Sequence, residues 1–486
     1  MTSPMPKTKI VATLGPATEK PEVIQTLLET GVNIFRLNMS HARHDWVRQM
    51  TRHIRAAERA TGLPAGILMD TQGPAIRTGD LDSKLDLKIG DTFTFTVRGH
   101  VSEEERSVDT NYDDLITDIS VGDVVLVDNG VIRMVVREKA DNELRCEVLT
   151  PGTLGSRRHI NLPGVKVNLP ALTEKDLEDI RVGVECGVNF IALSFVREAN
   201  DIQVLRQIVD SLEASQRISL IAKVEDQSAI RNIGEIIETA DAVMVARGDL
   251  GIEVSYEELP IIQRKIVKKC VASKKPVIVA THMLESMIEN PIPTRAEITD
   301  VANAVFEESD AVMLSGETTI GKYPVPCVEV LSKVAERIER SGTIRFHEEI
   351  LLSEDRNKVA GSAVHLADQV HADGLMVFTR TGRSARICSS LRPRWSNIYA
   401  FTPDEDLAGR LILNYAVRPH IIEFCPTPEE TIRLGETLLL ENNVLPVGAQ
   451  MVVLSDIRVD DKFFYTVQLR RLGQEVTDQQ EYNADT

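Results

Sequence analysis

The sequence contains no Cys-x-x-Cys pair, no apolar run long enough to span a bilayer and no excess of positive charge. Each absence removes a class of protein. The six cysteines (Cys146, Cys186, Cys270, Cys327, Cys388 and Cys425) lie far apart, which argues against a zinc site or a dense disulfide framework. Inert thiols in a reducing compartment are expected. No apolar segment approaches the roughly 18 residues of a transmembrane helix. The N-terminal stretch, Met1 to Gly15, carries lysines and a short apolar run that ends in a Gly-Pro turn. It reads as a strand rather than a signal peptide, so a cytoplasmic location is expected. The net charge is −18. A nucleic-acid backbone or an acidic membrane would be repelled, and neither is expected as a partner. A small anionic substrate remains open, because it needs only a local cluster of cations.

What is present is a chain of 486 residues, 43% hydrophobic and 26% charged. That composition is globular, and the length suggests roughly two to four domains. Eight short apolar runs are bounded by turn residues: Lys9–Leu14, Asn33–Asn38, Ala65–Asp70, Asn189–Phe195, Leu220–Glu225, Ala242–Asp249, Pro276–Thr281 and Ala311–Gly316. Each is nearly continuously apolar, as a strand buried on both faces of a parallel sheet should be. Helical patterns fill most gaps. Pro21–Glu29 places Val23, Ile24, Leu27 and Leu28 on one face, and Thr173 with Asp176 marks the start of another helix. Eight alternating β and α units read as a (β/α)8 TIM barrel with its site at the strand C-termini.

One gap is too long for a single barrel helix. Between Pro74 and about Pro170 the pattern is all-β, with candidate strands Thr92–Val97, Val124–Val127, Val131–Val136 and Glu143–Val148. The α/β rhythm restarts after about Arg340, with strands expected at Leu375–Thr379, Ile398–Phe401, Ile421–Phe424 and Met451–Leu454. The expected organisation is therefore α/β: a barrel over 1–73 and 170–340, an inserted small β-barrel lid domain over 74–169 and a C-terminal α/β regulatory domain over 341–472. Residues 473–486 form a polar tail, with Leu472 at its boundary.

Charged and hydroxyl residues collect where the greasy runs end. The second run ends in Arg36, Asn38, Ser40 and His41, and the third in Asp70 and Thr71, followed by Arg77. The fifth supplies Lys223 and Glu225, the sixth Arg247, Gly248 and Asp249, the seventh Thr281, and the eighth Ser315 and Glu317. On a barrel these ends converge on one mouth. Glu225 and Asp249 are hard oxygen ligands of the kind Mg²⁺ favours. Lys223 shares a strand face with Glu225, so the two also suit a structural ion pair. Ser315-Gly316-Glu317 equally suits a turn and helix cap.

Several segments resemble the pyruvate kinase family in its bacterial type. They are Thr8-Lys9-Ile10-Val11-Ala12-Thr13-Leu14-Gly15-Pro16-Ala17, Arg36-Leu37-Asn38-Met39-Ser40-His41 and Ala222-Lys223-Val224-Glu225. The match continues in Met244 to Gly251, Ala280 to Met287, Pro293 to Glu297 and Leu314 to Thr318. The resemblance implies phosphoryl transfer from phosphoenolpyruvate to ADP, giving pyruvate and ATP. It implies catalytic roles for Arg36, Lys223, Thr281, Ser315 and Glu317. Substrate binding would fall to Arg36, Lys223, Gly248, Asp249 and Thr281. Glu225 and Asp249 would hold Mg²⁺ or Mn²⁺, and Asn38, Ser40, Asp70 and Thr71 would hold K⁺. Asn38, His41, Arg77 and Arg158 match nucleotide positions, with Arg158 in the lid. Thr379-Arg380-Thr381-Gly382-Arg383-Ser384 resembles the family's loop for a phosphorylated allosteric effector, although a plain capping turn also fits it. A homotetramer is implied as well.

The sequence departs from the family pattern in places. Ala75 stands where K⁺-dependent members carry Glu and K⁺-independent members carry Lys. With the four K⁺ ligands retained, K⁺ dependence is expected. Asn129 replaces a frequent Asp, Arg158 a Lys and His282 a Gln. Ser455–Phe464 lacks the Trp-containing loop of fructose-bisphosphate-activated animal forms, so a sugar monophosphate or a nucleotide is the expected effector. Two other readings stay open: another Mg²⁺-dependent phosphoenolpyruvate or pyruvate barrel enzyme, a lyase or mutase, and a catalytically silent metabolite sensor.

Overall fold

The computed structural model describes residues 5–473, apart from 101, 103, 105, 213–216 and 460–461. Eight parallel strands close a barrel: β1 (Lys9–Thr13), β2 (Ile34–Asn38), β3 (Gly66–Asp70), β4 (Phe190–Leu193), β5 (Ser219–Val224), β6 (Ala242–Ala246), β7 (Val277–Ala280) and β8 (Ala311–Leu314). Each pairs with its sequence neighbours, and β8 closes on β1 with Lys9 opposite Ala311. The strands alternate their burial between two cores, which is why they read as unbroken apolar runs. One core lies between strands and helices, and includes Ile10, Phe35, Ile67, Ile191 and Val243. The other fills the barrel interior with Val11, Ile34, Leu68, Phe190, Ile221, Met244, Ile278 and Met313. Ile412 and Leu413 from the C-terminal region join this interior cluster.

Helix Glu174–Glu185 starts with a full capping box: Thr173 and Asp176 each bond the other's backbone N–H. Helix Pro21–Thr30 ends at Gly31, whose φ of 124° is open to glycine.

Between β3 and β4 lies a six-stranded sheet built from Thr92–Thr96, Ser107–Asp109, Val124–Val127, Ile132–Lys139, Glu143–Val148 and Ile160–Asn161. It surrounds its own core of Phe93, Phe95, Ile132, Met134, Leu144 and Val148. After the barrel, strands Gly374–Phe378, Asn397–Thr402, Val417–Ile421 and Gln450–Val459 run parallel, and Lys462–Arg471 adds an antiparallel edge.

Three expectations need correction. The strand expected at Ile421–Phe424 is Val417–Ile421. It contains Pro419, which the sheet tolerates because this strand lies at an edge. The sixth barrel run stops at Ala246, and Arg247–Glu253 is a helix. Gly248 and Asp249 therefore sit in a first helical turn, not on the strand. Leu472, expected at the boundary of the polar tail, is fully buried in the C-terminal core. Beyond Gly473 the expected tail lies outside the described residues. Among the described residues no helix is long and apolar enough to cross a membrane, and all six cysteines are free thiols.

Candidate active site

Asp70, at the end of β3, is fully buried and holds two cations. Its Oδ2 accepts from Arg36 Nε at 2.6 Å, and its Oδ1 faces Lys223 Nζ at 3.0 Å. The parallel register sets this up, because Asn38 lies opposite Asp70 and Arg36 opposite Leu68. Burial alone would raise the Asp70 pKa; Lys223 and Arg36 outweigh it and hold the carboxyl below its usual range. Lys223 lies 2.9 Å from Glu225 Oε1 and donates to Ser194 Oγ at 2.8 Å. Burial would lower the Lys223 pKa, but Asp70 and Glu225 carry it upward, so the ammonium stays charged. Arg36 also donates to Thr13 Oγ1 at 3.1 Å.

Glu225 uses its second oxygen, Oε2, to accept from the Phe195 amide at 2.6 Å. Burial pushes its pKa up to about 7, with Lys223 opposing and Asp249 adding to the rise. The Asp249 carboxylate has no hydrogen bond or ion pair among the described residues. Two carboxylates thus repel each other across the mouth, one of them free. Among the described residues no group of three His, Cys, Asp or Glu gathers to hold a metal. A site of two carboxylates suits Mg²⁺, which keeps waters and substrate oxygens in its shell.

The backbone here is strained. Phe195, Thr281 and His282 have φ of 53°, 71° and 55°, a region that costs non-glycine residues about 1–3 kcal/mol each. Arg247 supports the second turn: its Nε donates to the Thr281 carbonyl at 3.2 Å and its Nη1 to Asp300 at 2.7 Å. The turn brings Thr281 Oγ1 to the Gly248 amide at 2.7 Å.

The inserted sheet overhangs this cluster and leaves a cavity of about 380 Å³. Arg36, Asn38, Ser40, Lys223, Glu225 and Asp249 line it from the barrel, and Asp128, Asn129, Arg158 and His159 from the inserted domain. Thr71, Ala75 and Arg77 also reach it. Arg158 Nη1 pairs with Asp128 at 3.3 Å, and its Nε is buried without a partner. The cavity does not extend to every expected residue. His41 is exposed and does not line it. Glu317 is buried with Oε1 on the Leu284 amide (2.9 Å) and Oε2 on the Ser315 amide (2.7 Å), so both its oxygens tie loops together. Ser315 Oγ is buried without a partner.

Asn38, Ser40, Asp70 and Thr71 cluster as oxygen donors, although Asn38 Oδ1 already accepts from Ser40 N and the Thr71 carbonyl from Ser194 Oγ. Asp70 is fully buried, meets Arg36 and Lys223 with its two oxygens, and does not line the cavity. Far from the cavity, the segment Thr379–Ser384 forms a turn at Gly382 (φ 80°), closed by the Gly382 amide on Thr379 Oγ1 at 2.9 Å. Arg380 stacks over Phe424 at 4.6 Å.

Sequence reasoning missed Thr13, Ser194, Arg157 and His159. Arg157 lines the cavity and forks onto Asp80 at 2.8 Å. His159 lies within electrostatic reach of Asp249 and Arg77; burial lowers its pKa most. Ser194 carried a usable signal, a hydroxyl at the end of the fourth apolar run. Arg157 and His159 carried a weaker one, as neighbours of Arg158.

The barrel-domain model of the pyruvate kinase family matches residues 5–328, and its alpha/beta-domain model matches residues 357–463. Pyruvate kinase 2 of Synechocystis is 39% identical over 93% of this chain and 77% of its own length. Pyruvate kinase of Geobacillus stearothermophilus is 38% identical over 94% and 78%. The crystal structure of a pyruvate kinase from Cryptosporidium parvum superposes with a TM-score of 0.90 at 34% identity, covering 96% of both chains. A pair of family models spanning most of the chain, relatives of this length and a shared fold lead to one statement: the chain belongs to the pyruvate kinase family.

Proposed function

We propose that the chain transfers the phosphoryl group of phosphoenolpyruvate to ADP, releasing pyruvate and ATP, with Lys223 and Arg36 as the central cations. The observation that carries this reading is the buried network Arg36–Asp70–Lys223–Glu225 beside the free carboxylate of Asp249. Fixed charges of this kind are what phosphoryl transfer asks of a protein. Glu225 and Asp249 would hold Mg²⁺ or Mn²⁺, which when bound supplies positive charge to the substrate's phosphoryl and carboxylate oxygens.

In this reading Arg36 orients the phosphoryl group from one side and Lys223 from the other. Asp70 fixes both cations, so little reorganisation accompanies the transfer. Lys223 then stabilises the enolate that remains. The Gly248 and Asp249 amides, at the start of their helix, would receive the substrate carboxylate together with Thr281 once the bond between the Gly248 amide and Thr281 Oγ1 opens. Thr281 and Ser315 would serve the proton that the methylene carbon takes. Glu317 serves by anchoring the loops that carry them, since its two oxygens are already bonded.

Arg77, Arg158, Asn38 and His41 would meet the nucleotide as the inserted domain closes and excludes water. Asn38, Ser40, Asp70 and Thr71 would hold K⁺, which adds a fixed positive charge when bound. The 74–169 segment as lid, the 341–472 segment as regulatory domain, a phosphorylated effector at Thr379–Ser384, a homotetramer and a cytoplasmic location belong to the same proposal.

The test is pyruvate formation from phosphoenolpyruvate, ADP and Mg²⁺ by purified protein and by Lys223→Met. ADP-dependent turnover lost in the variant is expected. Turnover of phosphoenolpyruvate without ADP would point to a lyase instead.

A further inference from the structure

A second cavity, of about 70 Å³, lies where the inserted domain joins the barrel. Both chain crossings between the two domains line it. Pro74 and Ile76 belong to the segment entering the inserted domain, and Leu162, Val165, Val167 and Leu169 to the segment leaving it. The opposite wall comes from the loops after β4 and β5, through Phe195, Arg197 and Asp226, and from Glu253 at the end of helix Arg247–Glu253. His159, Phe195 and Glu225 line both this cavity and the larger one, and so stand between the two.

The polar groups of the smaller cavity leave acceptors open. Asn161 and Glu253, which both line it, are only 6% and 8% exposed. Asn161 spends its Nδ2 on Glu253 Oε1 at 3.1 Å, while its Oδ1 is buried without a partner. Glu253 Oε2 has no hydrogen bond or ion pair among the described residues. Two neighbouring donors are committed elsewhere: Gln227 Nε2 to the Glu253 carbonyl at 2.6 Å and Arg197 Nη1 to the Val167 carbonyl at 3.1 Å. Arg197 also pairs with Asp201 at 3.5 Å. The lining carries three carboxylates, Glu225, Asp226 and Glu253, against that one guanidinium. Glu225 is matched by Lys223, and Asp226 accepts from the Ala229 amide at 2.7 Å. Glu253 is the carboxylate left to pair.

We propose that this cavity is a binding site for a small organic cation, a primary ammonium on a short apolar body. An ammonium has three donors and no acceptor. It can give one to Asn161 Oδ1 and another to Glu253 Oε2, which the bond between the two side chains keeps adjacent. A charged donor on a carboxylate makes the stronger kind of hydrogen bond. The apolar body then meets Ile76, Leu162 and Val165. At about 10–15 Å³ for each water-sized atom, the cavity admits roughly five non-hydrogen atoms. An anion of the same size would face three carboxylates, and a neutral alcohol brings one donor for two open acceptors. A bound ammonium ties the inserted domain to the barrel through Asn161 and Glu253, with Glu225 in the same wall.

Ligand-detected NMR titration of the full chain with isobutylammonium tests this, at pH 8 with Mg²⁺ and K⁺ present. Glu253 is ionised there, since burial raises its pKa to about 7. Wild type and Asp249→Asn should bind isobutylammonium alike, because Asp249 does not line this cavity. Isobutanol and isobutyrate should bind at least tenfold more weakly. Glu253→Gln should weaken ammonium binding at least tenfold, as should Asn161→Leu; if the latter fails to fold, Glu253→Gln decides. Absence of binding by wild type overturns the proposal. So does binding kept in Glu253→Gln, equal binding of the three compounds, or binding lost in Asp249→Asn, which would put the ammonium in the larger cavity. Binding is read without turnover, so the outcome is separate from that of the phosphoryl-transfer assay.

Discussion

Asn161 of the inserted domain donates its Nδ2 to Glu253 Oε1 of the barrel at 3.1 Å, with both side chains buried. The opposite atom of the amide, Oδ1, is buried without a partner. The pair joins the inserted domain to the barrel beside the candidate site. It is one proton short of complete, because a neutral Glu253 could donate to the orphaned oxygen.

That geometry gives a pH dependence with a definite sign. Burial, opposed by the Asn161 bond and aided by Asp226 and Asp249, raises the Glu253 pKa from 4.5 to about 7. Below 4.5 the folded and unfolded chains are both protonated here, and the group contributes no difference. As pH rises towards 7 the unfolded chain loses its proton first, so stability falls by about 3 kcal/mol and then stays level. Glu253→Gln removes the titration and supplies the missing donor. Calorimetry should find the variant a few degrees more stable than wild type at pH 8 and unchanged near pH 4. A variant no more stable at pH 8 would contradict the assignment.

A second prediction concerns Asp70, which bonds both central cations. Asp70→Asn keeps the volume and removes the charge. Removing one partner from a buried ion network costs about 3–5 kcal/mol in folding. Arg36 and Lys223 also lose their fixed positions, so kcat should fall by roughly 10²–10³-fold. Steady-state kinetics on folded variant, verified by circular dichroism, checks this. An unchanged kcat would remove Asp70 from the active-site argument.

The extent to which this site was legible follows from its construction. Barrel strands buried on both faces leave unbroken apolar runs, and Ala-Val-Met-Val-Ala at 242–246 could hardly be read otherwise. Charges at their ends stood out against that background. The helix at Arg247 did not, because the change from strand to helix is made by the backbone of Arg247 and Gly248 rather than by any apolar period. Thr13 was hidden for the opposite reason: one small hydroxyl in an apolar run looks like filler, yet it bonds a central cation, as does Ser194, whose place at the end of its run was a signal that went unused. Pro419 concealed an edge strand.

The third prediction addresses Ala75, which lines the cleft beside the proposed K⁺ donors and brings no charge of its own. With neither a Lys to replace the cation nor a Glu to bind it, the site depends on Asp70 and neutral oxygens. Activity should therefore be higher in K⁺ than in the larger tetramethylammonium ion at equal ionic strength. Ala75→Lys should abolish that difference by supplying a resident ammonium. Equal rates of the wild type in both salts would show that Arg36 and Lys223 already provide all the charge the site uses.

The last prediction lies in the C-terminal domain, at His420. Its ring stacks on Phe401 at 5.5 Å and lies 5.9 Å from Tyr399, with Nε2 buried and unpartnered. Burial, reinforced by Arg418, lowers its pKa from 6.5 to about 4. The sign is the reverse of Glu253. Above 6.5 the ring is neutral in both states and contributes no difference. As pH falls towards 4, the unfolded chain gains a proton that the folded domain refuses, and stability drops by about 3 kcal/mol across that window. His420→Phe keeps the stacking and removes the titration, so the variant should lose less stability between pH 7 and pH 4 than wild type does. Because Phe also removes an unsatisfied nitrogen, some gain at pH 7 is compatible with the argument. The decisive quantity is the slope of stability against pH, followed by urea melts at several pH values; parallel slopes for the two proteins would refute it.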